Sequence, residues 1–198
     1  MILGSPVAGP ITFRTVMYPS ASNLHILTGA PGSGKTAILA RLKDELSCVD
    51  EPAREVLAEQ RASGGSGTWD KNPSLFVHLL LQRSIENHQM ALGSGQKALF
   101  DRGIPDCVVY AALAGTDPTP SLTAVDVYRY SPHVLFIEPW SDIYTTDDER
   151  VMSFDETLPF SETLKAVYMR SGYTPVDVPR GSVDDRAGFV RKMIADLS

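Results

Sequence analysis

The run Gly29-Ala30-Pro31-Gly32-Ser33-Gly34-Lys35-Thr36 constrains this chain more than any other feature. It fits GxxxxGK[ST] and stands between an apolar stretch, Leu24 to Thr28, and a run of helical period, KTAILARLKDEL. Glycines let the backbone wrap closely, so that successive N–H groups and a helix N-terminus converge on one place where an anion is stabilised. All eight residues are therefore expected to cradle phosphate. Lys35 is expected to reach the terminal phosphates, and the Thr36 hydroxyl to coordinate magnesium, a hard cation that prefers oxygen.

A strand, a phosphate loop and a helix in that order call for a parallel sheet, and the rest of the chain keeps the alternation. Strand-like runs at Leu24 to Thr28, Ser47 to Asp50, Lys97 to Asp101, His133 to Glu138 and Thr174 to Val178 are separated by helical patterns at 34–46, 52–62, 73–91, 104–114, 122–130, 156–171 and 183–197. This predicts an α/β three-layer sandwich with five parallel strands and helices on both faces. At 198 residues the chain has room for one such domain, expected over 23–198, preceded by an extension, 1–22, without sustained periodicity.

Two further strand ends carry chemistry, since ligands in open α/β sheets collect outside the carboxyl ends of strands. Asp101 closes KALFD, where a carboxylate can hold magnesium directly or through water, and Arg102 beside it can meet an anionic or polyol group. Glu51 follows SCVD, with Pro52 at a first helical position, and faces the same crevice as a carboxylate able to orient an acceptor hydroxyl and take its proton. Arg54, one turn on, is placed to bind substrate or to pair with Glu51. Trp69, Phe76 and Trp140 fall around the presumed crevice, where packing and ring stacking are both open to them.

Composition removes several alternatives. A net charge of −6 argues against a surface built for a nucleic-acid backbone. The apolar runs are strand-sized, which disfavours a membrane span, and no basic-then-apolar leader opens the chain, so a cytoplasmic protein is expected. Cys48 and Cys107 lack CxxC partners, and the four histidines form no metal-ligand spacing. No GxSxG serine and no [NT]KxD motif occurs. LGSGQ at 92–96 runs straight into a strand and is read as a turn rather than a transporter-type ATPase signature. The roughly 20 residues after the last strand are too few for the helical lid of AAA+ machines.

Taken together, GAPGSGKT, DEPAREVL, ALFDRG, the acidic loop DDERVMSFDE and the late VPRGSVDDR resemble small P-loop NTPases related to the nicotinamide riboside kinase domain, and also deoxynucleoside kinases. The resemblance spans about residues 24–197. It implies that Lys35, Thr36 and Asp101 serve ATP and Mg2+, that Glu51 is the acceptor-hydroxyl base, that Arg102 fixes substrate, that Arg150 is the cation of a lid over the phosphates, and that Arg180 and Arg186 lie near the adenine. The expected activity is phosphotransfer from ATP to a small hydroxyl acceptor, nucleoside-like or nicotinamide-riboside-like. The alternative is a regulatory ATPase or nucleotide-dependent binding module that a protein partner reads.

Overall fold

The computed structural model describes residues 23–144 and 152–196. The extension 1–22, the segment 145–151 with Arg150, and the last two residues lie outside it. Five strands, β1 (Leu24–Gly29), β2 (Ser47–Val49), β3 (Ala98–Asp101), β4 (His133–Ile137) and β5 (Thr174–Asp177), form one parallel sheet in the order β2-β3-β1-β4-β5. Central β1 is buried along its whole length, as a strand covered on both faces must be. The edge strands β2 and β5 are short and partly exposed, and Pro175 sits in β5, where a missing ladder donor costs least.

Alternation along the strands splits the core in two. Leu27, Leu99, Leu135 and Ile137 face helices α1 (Lys35–Leu42) and α7 (Val183–Asp196), meeting Ile38, Leu42, Val190 and Ile194. Each of these fully buried aliphatic side chains is worth about 1.5–3 kcal/mol relative to exposure. Leu24, Ile26, Phe100, Val134 and Phe136 point the other way. They pack with α2 (Pro52–Ser63), α3 (Pro73–Ser94), α4 (Ile104–Leu113), α5 (Thr119–Val127) and α6 (Phe154–Arg170). Among the described residues the three layers are thus unequal, with two helices on one face and five on the other.

The element order agrees with the sequence, and the differences have local causes. α5 begins at Thr119 and ends at Val127, three residues earlier at each end than periodicity predicts. The Asp117 carboxylate accepts the Thr119 N–H at 2.9 Å, and Pro120 falls in the first turn, where no intrahelical donor is needed. At the far end Tyr130 is buried against Phe100 and His88, and the Arg129 carbonyl bonds the His88 ring, drawing the chain into β4. α3 continues through Gly93 to Ser94 and stops at Gly95, whose φ of 68° suits a left-handed cap. The SGGSG stretch is tethered rather than slack, because the Gly67 N–H donates to the Gln60 side chain at 2.9 Å.

Candidate active site

The phosphate loop occupies the bend between β1 and α1 as the motif requires. A Cβ on Gly29, at φ 148°, would stand 2.3 Å from the Ile137 carbonyl oxygen of β4, and one on Gly34, at φ 87°, would stand 2.8 Å from Arg186 Nη1. Both positions therefore need glycine on conformation and space alike. Lys35 is 6% exposed, and its Nζ donates to the carbonyls of Gly29 and Ala30 at 3.1 Å each. Burial, with the Arg102 charge adding to it, lowers the Lys35 ammonium to about 8 against the pull of Asp101, Glu51 and Asp106. Thr36 is exposed at the head of α1, on the wall of the cleft.

Asp101 and Glu51 occupy adjacent strand ends in opposite states. Asp101 is 4% exposed, with its Oδ1 buried and unpartnered, and burial raises its carboxyl to about 6. Glu51 accepts from Arg102 Nε at 2.7 Å and Arg54 Nε at 3.1 Å. Burial opposes its ionisation, yet the Arg102 and Lys35 charges and the two arginine hydrogen bonds overcome that and hold Glu51 at about 2. Two arginines bond Glu51, whereas the buried Oδ1 of Asp101 has no hydrogen-bond partner.

Arg102 is the hub of this floor. It is 5% exposed and, with φ 73°, the one non-glycine among the described residues in the left-handed region. Such a conformation costs of order 1–3 kcal/mol and persists where its surroundings over-determine it. Beyond Glu51, its Nη1 donates to the Gly29 carbonyl and to Asp106 Oδ1, both at 3.0 Å, and its backbone N–H donates to the Leu27 carbonyl. Asp106, on the first turn of α4, also accepts from Thr28 Oγ1 at 3.0 Å, the Gly103 N–H at 3.1 Å and the Tyr168 hydroxyl of α6 at 2.5 Å. The floor is one continuous network joining β1, the start of α2, the residue after β3, α4 and α6. Sequence reasoning passed over Asp106, although its place four residues after Arg102, in the first turn of a helix opened by Pro105, carried the signal.

Against Ser33 of the loop, Arg186 is 3% exposed, donates from Nη1 to the Ser33 carbonyl at 3.3 Å, and lies 6.0 Å from the Trp140 ring centre. Its Nε is buried without a partner, and burial lowers its guanidinium. Arg180 is exposed, 5.8 Å from the same ring. The Tyr144 hydroxyl donates to the Met152 carbonyl, joining the two ends of the described chain on either side of 145–151. The expected lid cation Arg150 lies in that segment, outside the described residues.

A cleft of about 340 Å³ opens beside the loop. Lys35, Thr36, Glu51 and Arg102 line its floor; its far wall is Leu57, Trp69, Phe76, Tyr110, Leu113 and Met152. Trp69 meets Phe76 and Tyr110 edge-on, at centroid distances of 5.9 and 6.2 Å. Of this wall the sequence marked only Trp69 and Phe76; Tyr110 and Leu113 follow Asp106 at helical spacing on the same face of α4.

The family model described as an AAA domain matches residues 24–186. The chain belongs to this AAA domain family. Among solved structures, shikimate kinase from Acinetobacter baumannii in complex with shikimate is similar, with a TM-score of 0.51 and 15% identity over 87% of this chain and 93% of that one. At that identity the likeness is one of fold, and it agrees with the small P-loop NTPase, kinase-like architecture that the motifs resemble. No curated protein matches the chain. Within the described residues of this AAA domain, β5 is followed by α7 alone, which packs against α1.

Proposed function

We propose that the domain binds Mg-ATP and transfers its γ-phosphoryl group to a hydroxyl of a small acceptor, a nucleoside-like or nicotinamide-riboside-like molecule being the class that its motifs resemble. The observation that carries this reading is a buried lysine held by the loop's own carbonyls, with the Asp101 carboxylate, whose buried Oδ1 has no hydrogen-bond partner, near enough to act on its charge. A magnesium nucleotide brings a polyanion that suits the lysine and a cation that suits the carboxylate.

The residues present fit that ligand. Gly29 to Thr36 offer backbone N–H groups and the start of α1 to the phosphates, and Lys35 supplies the charge that opposes theirs. Thr36 and Asp101 are the oxygen ligands available for magnesium; among the described residues no cluster of three or more His, Cys, Asp or Glu offers another site. Held by these two residues, magnesium would supply charge neutralisation to the phosphates. Arg186, bonded to the loop at Ser33, and Trp140 beside it are assigned to the base or ribose. Arg150 keeps the role of a lid cation as a sequence expectation.

Glu51 takes a part different from a strong base. A carboxylate held near 2 by two arginines is a weak proton acceptor, but it is fixed in place and accepts a hydrogen bond from the acceptor hydroxyl, aiming its oxygen at phosphorus. As the new P–O bond forms, the bond from the γ-phosphorus to the bridging oxygen breaks and ADP leaves; the hydroxyl proton departs late, past the Glu51 carboxylate to solvent, as a loose transition state allows. Arg102 holds Glu51 in place. Both cysteines are free thiols, which suits the expected cytoplasmic setting.

ADP release from Mg-ATP, measured with a panel of hydroxyl acceptors beside Lys35→Ala and Glu51→Gln, tests the reading. Stimulation by an acceptor that both substitutions abolish supports it. Turnover that no acceptor raises and that survives Glu51→Gln refutes it in favour of a regulatory ATPase.

A further inference from the structure

Trp69 stands in the loop 64–72 between α2 and α3, lines the cleft and still keeps 41% of its surface exposed. What holds it there is Gln60 of α2, whose Oε1 accepts the Gly67 N–H at 2.9 Å. A Cβ on Gly65 would stand 2.2 Å from that same oxygen, and one on Gly67 would stand 2.5 Å from Leu79 Cδ1 and 2.9 Å from the Gln60 oxygen. Neither glycine has a positive φ, so space against Gln60 and Leu79, not backbone conformation, excludes a side chain at both. The chain then turns at buried Thr68, whose carbonyl accepts from the N–H groups of Lys71 at 3.2 Å and Asn72 at 2.9 Å, leaving Trp69 and Asp70 at the tip. Asn72 caps α3 by accepting the Leu75 N–H at 3.0 Å. The tip is thus anchored from α2 on one side and α3 on the other, and a ring docking on Trp69 meets a wall that is already ordered.

The chemistry of the wall says what kind of ring. Its side chains offer two hydrogen-bonding groups, the Trp69 indole N–H and the Tyr110 hydroxyl, amid carbon and the Met152 sulfur. A polyol there would lose water from each hydroxyl and find few partners, whereas a flat ring extends the edge-on arrangement of Trp69, Phe76 and Tyr110. The charges around the cleft are already matched. Glu51 accepts from Arg102 and Arg54, Arg102 also donates to Asp106, and Arg61 and Asp70 act on each other's charge. The Arg102 guanidinium, 6.0 Å from the Tyr110 ring centre, already supplies that ring with a cation. A charged substituent on a guest would give up its hydration and compete with one of these pairs.

We propose that the loop 64–72, pinned to α2 by Gln60, is a preformed subsite where the acceptor lays an uncharged planar ring against Trp69, with Gln60 as its positioning residue. This rests on the phosphotransfer reading above and narrows it: acceptors with a neutral ring are favoured over ring acids, pyridinium-type cations and cyclic polyols.

The test is an NMR titration of the whole protein with Mg-ADP bound, following the Trp69 indole N–H. The probes are benzyl alcohol, its anionic relative 4-(hydroxymethyl)benzoate, its cationic relative 3-(hydroxymethyl)-1-methylpyridinium, and the polyol myo-inositol. Benzyl alcohol is expected to shift the Trp69 signal and to bind at least about fivefold tighter than the other three. Gln60→Ala is expected to weaken benzyl alcohol about fivefold with Mg-ADP affinity unchanged, and Gln60→Glu, which keeps an acceptor oxygen for the Gly67 N–H, to restore it to within about twofold. Gly65→Ala breaks the same contact from the loop side and is expected to match Gln60→Ala. A Trp69 signal that benzyl alcohol leaves unmoved, equal or tighter binding of any other probe, or binding indifferent to both Gln60→Ala and Gly65→Ala overturns the proposal. ADP release from Mg-ATP with a panel of hydroxyl acceptors is read separately. Ring binding at Trp69 with no acceptor raising ADP release removes the phosphotransfer reading and leaves the subsite, whereas release raised by polyols without ring binding does the reverse.

Discussion

The floor and the far wall of the cleft are built on different principles. The floor is a closed network in which Lys35, Glu51, Arg102, Asp106, Thr28 and Tyr168 hold one another at fixed distances, leaving Asp101 as the carboxylate without a partner on its buried oxygen. The wall is a set of side chains contributed by α2, the loop before α3, α3, α4 and Met152, touching through carbon and ring edges. Buried charges that hold one another tolerate little change, because removing one strands the next. Apolar contacts at a partly exposed surface exchange more cheaply. A site made this way can keep its floor while its wall changes.

The sharpest way to break this contrast is Asp106→Asn. It leaves Arg102 short of a charge partner and puts an amide where the Tyr168 hydroxyl needs an acceptor, with a predicted loss of about 3–5 kcal/mol in urea unfolding. A loss below about 1 kcal/mol would show that the floor is not cooperative. Lys35→Ala comes next. Affinity for a fluorescent ATP analogue is predicted to fall at least about 100-fold, or about 2.7 kcal/mol, and to stay within about twofold in Trp69→Ala; equal losses in both would erase the division between floor and wall.

The pH dependence sharpens it further. Asp101, raised to about 6, is neutral at pH 5 and ionised at pH 7, so the gain in nucleotide affinity contributed by magnesium should vanish as pH falls through 6. Lys35, lowered to about 8, loses its charge as pH rises, so magnesium-free ADP should bind progressively more weakly above pH 8, approaching about tenfold per unit. Titrations at pH 5, 7 and 9 with and without magnesium separate the two limbs. The smallest effect belongs to the wall: Trp69→Ala is predicted to cost under about 1.5 kcal/mol of stability, since Trp69 is already 41% exposed.

The same contrast explains what the sequence made legible. GAPGSGKT, the strand end at Asp101 and the Glu51-Pro52 helix start are local patterns, in which a few adjacent residues carry the whole physical requirement, and the sheet with its five strands follows from alternation. The contacts of the floor were less visible. Arg102 reads as a group free to meet substrate, whereas tertiary packing spends it on Glu51, Gly29 and Asp106, and no local pattern reveals that Tyr168, 62 residues away, completes the Asp106 carboxylate. The wall was least legible, because Leu57, Tyr110, Leu113 and Met152 look like ordinary core positions until the fold sets them around one space. The shift of α5 has the same origin, in a tyrosine claimed by the core.

The measurement that bears most directly on the central claim follows the γ-phosphoryl group itself, by phosphorus NMR of the protein turning over Mg-ATP with a hydroxyl acceptor. The account predicts a new phosphomonoester resonance that grows in step with ADP and is lost in both Lys35→Ala and Glu51→Gln. Inorganic phosphate as the sole product, formed at a rate indifferent to every acceptor and to Glu51→Gln, would contradict it.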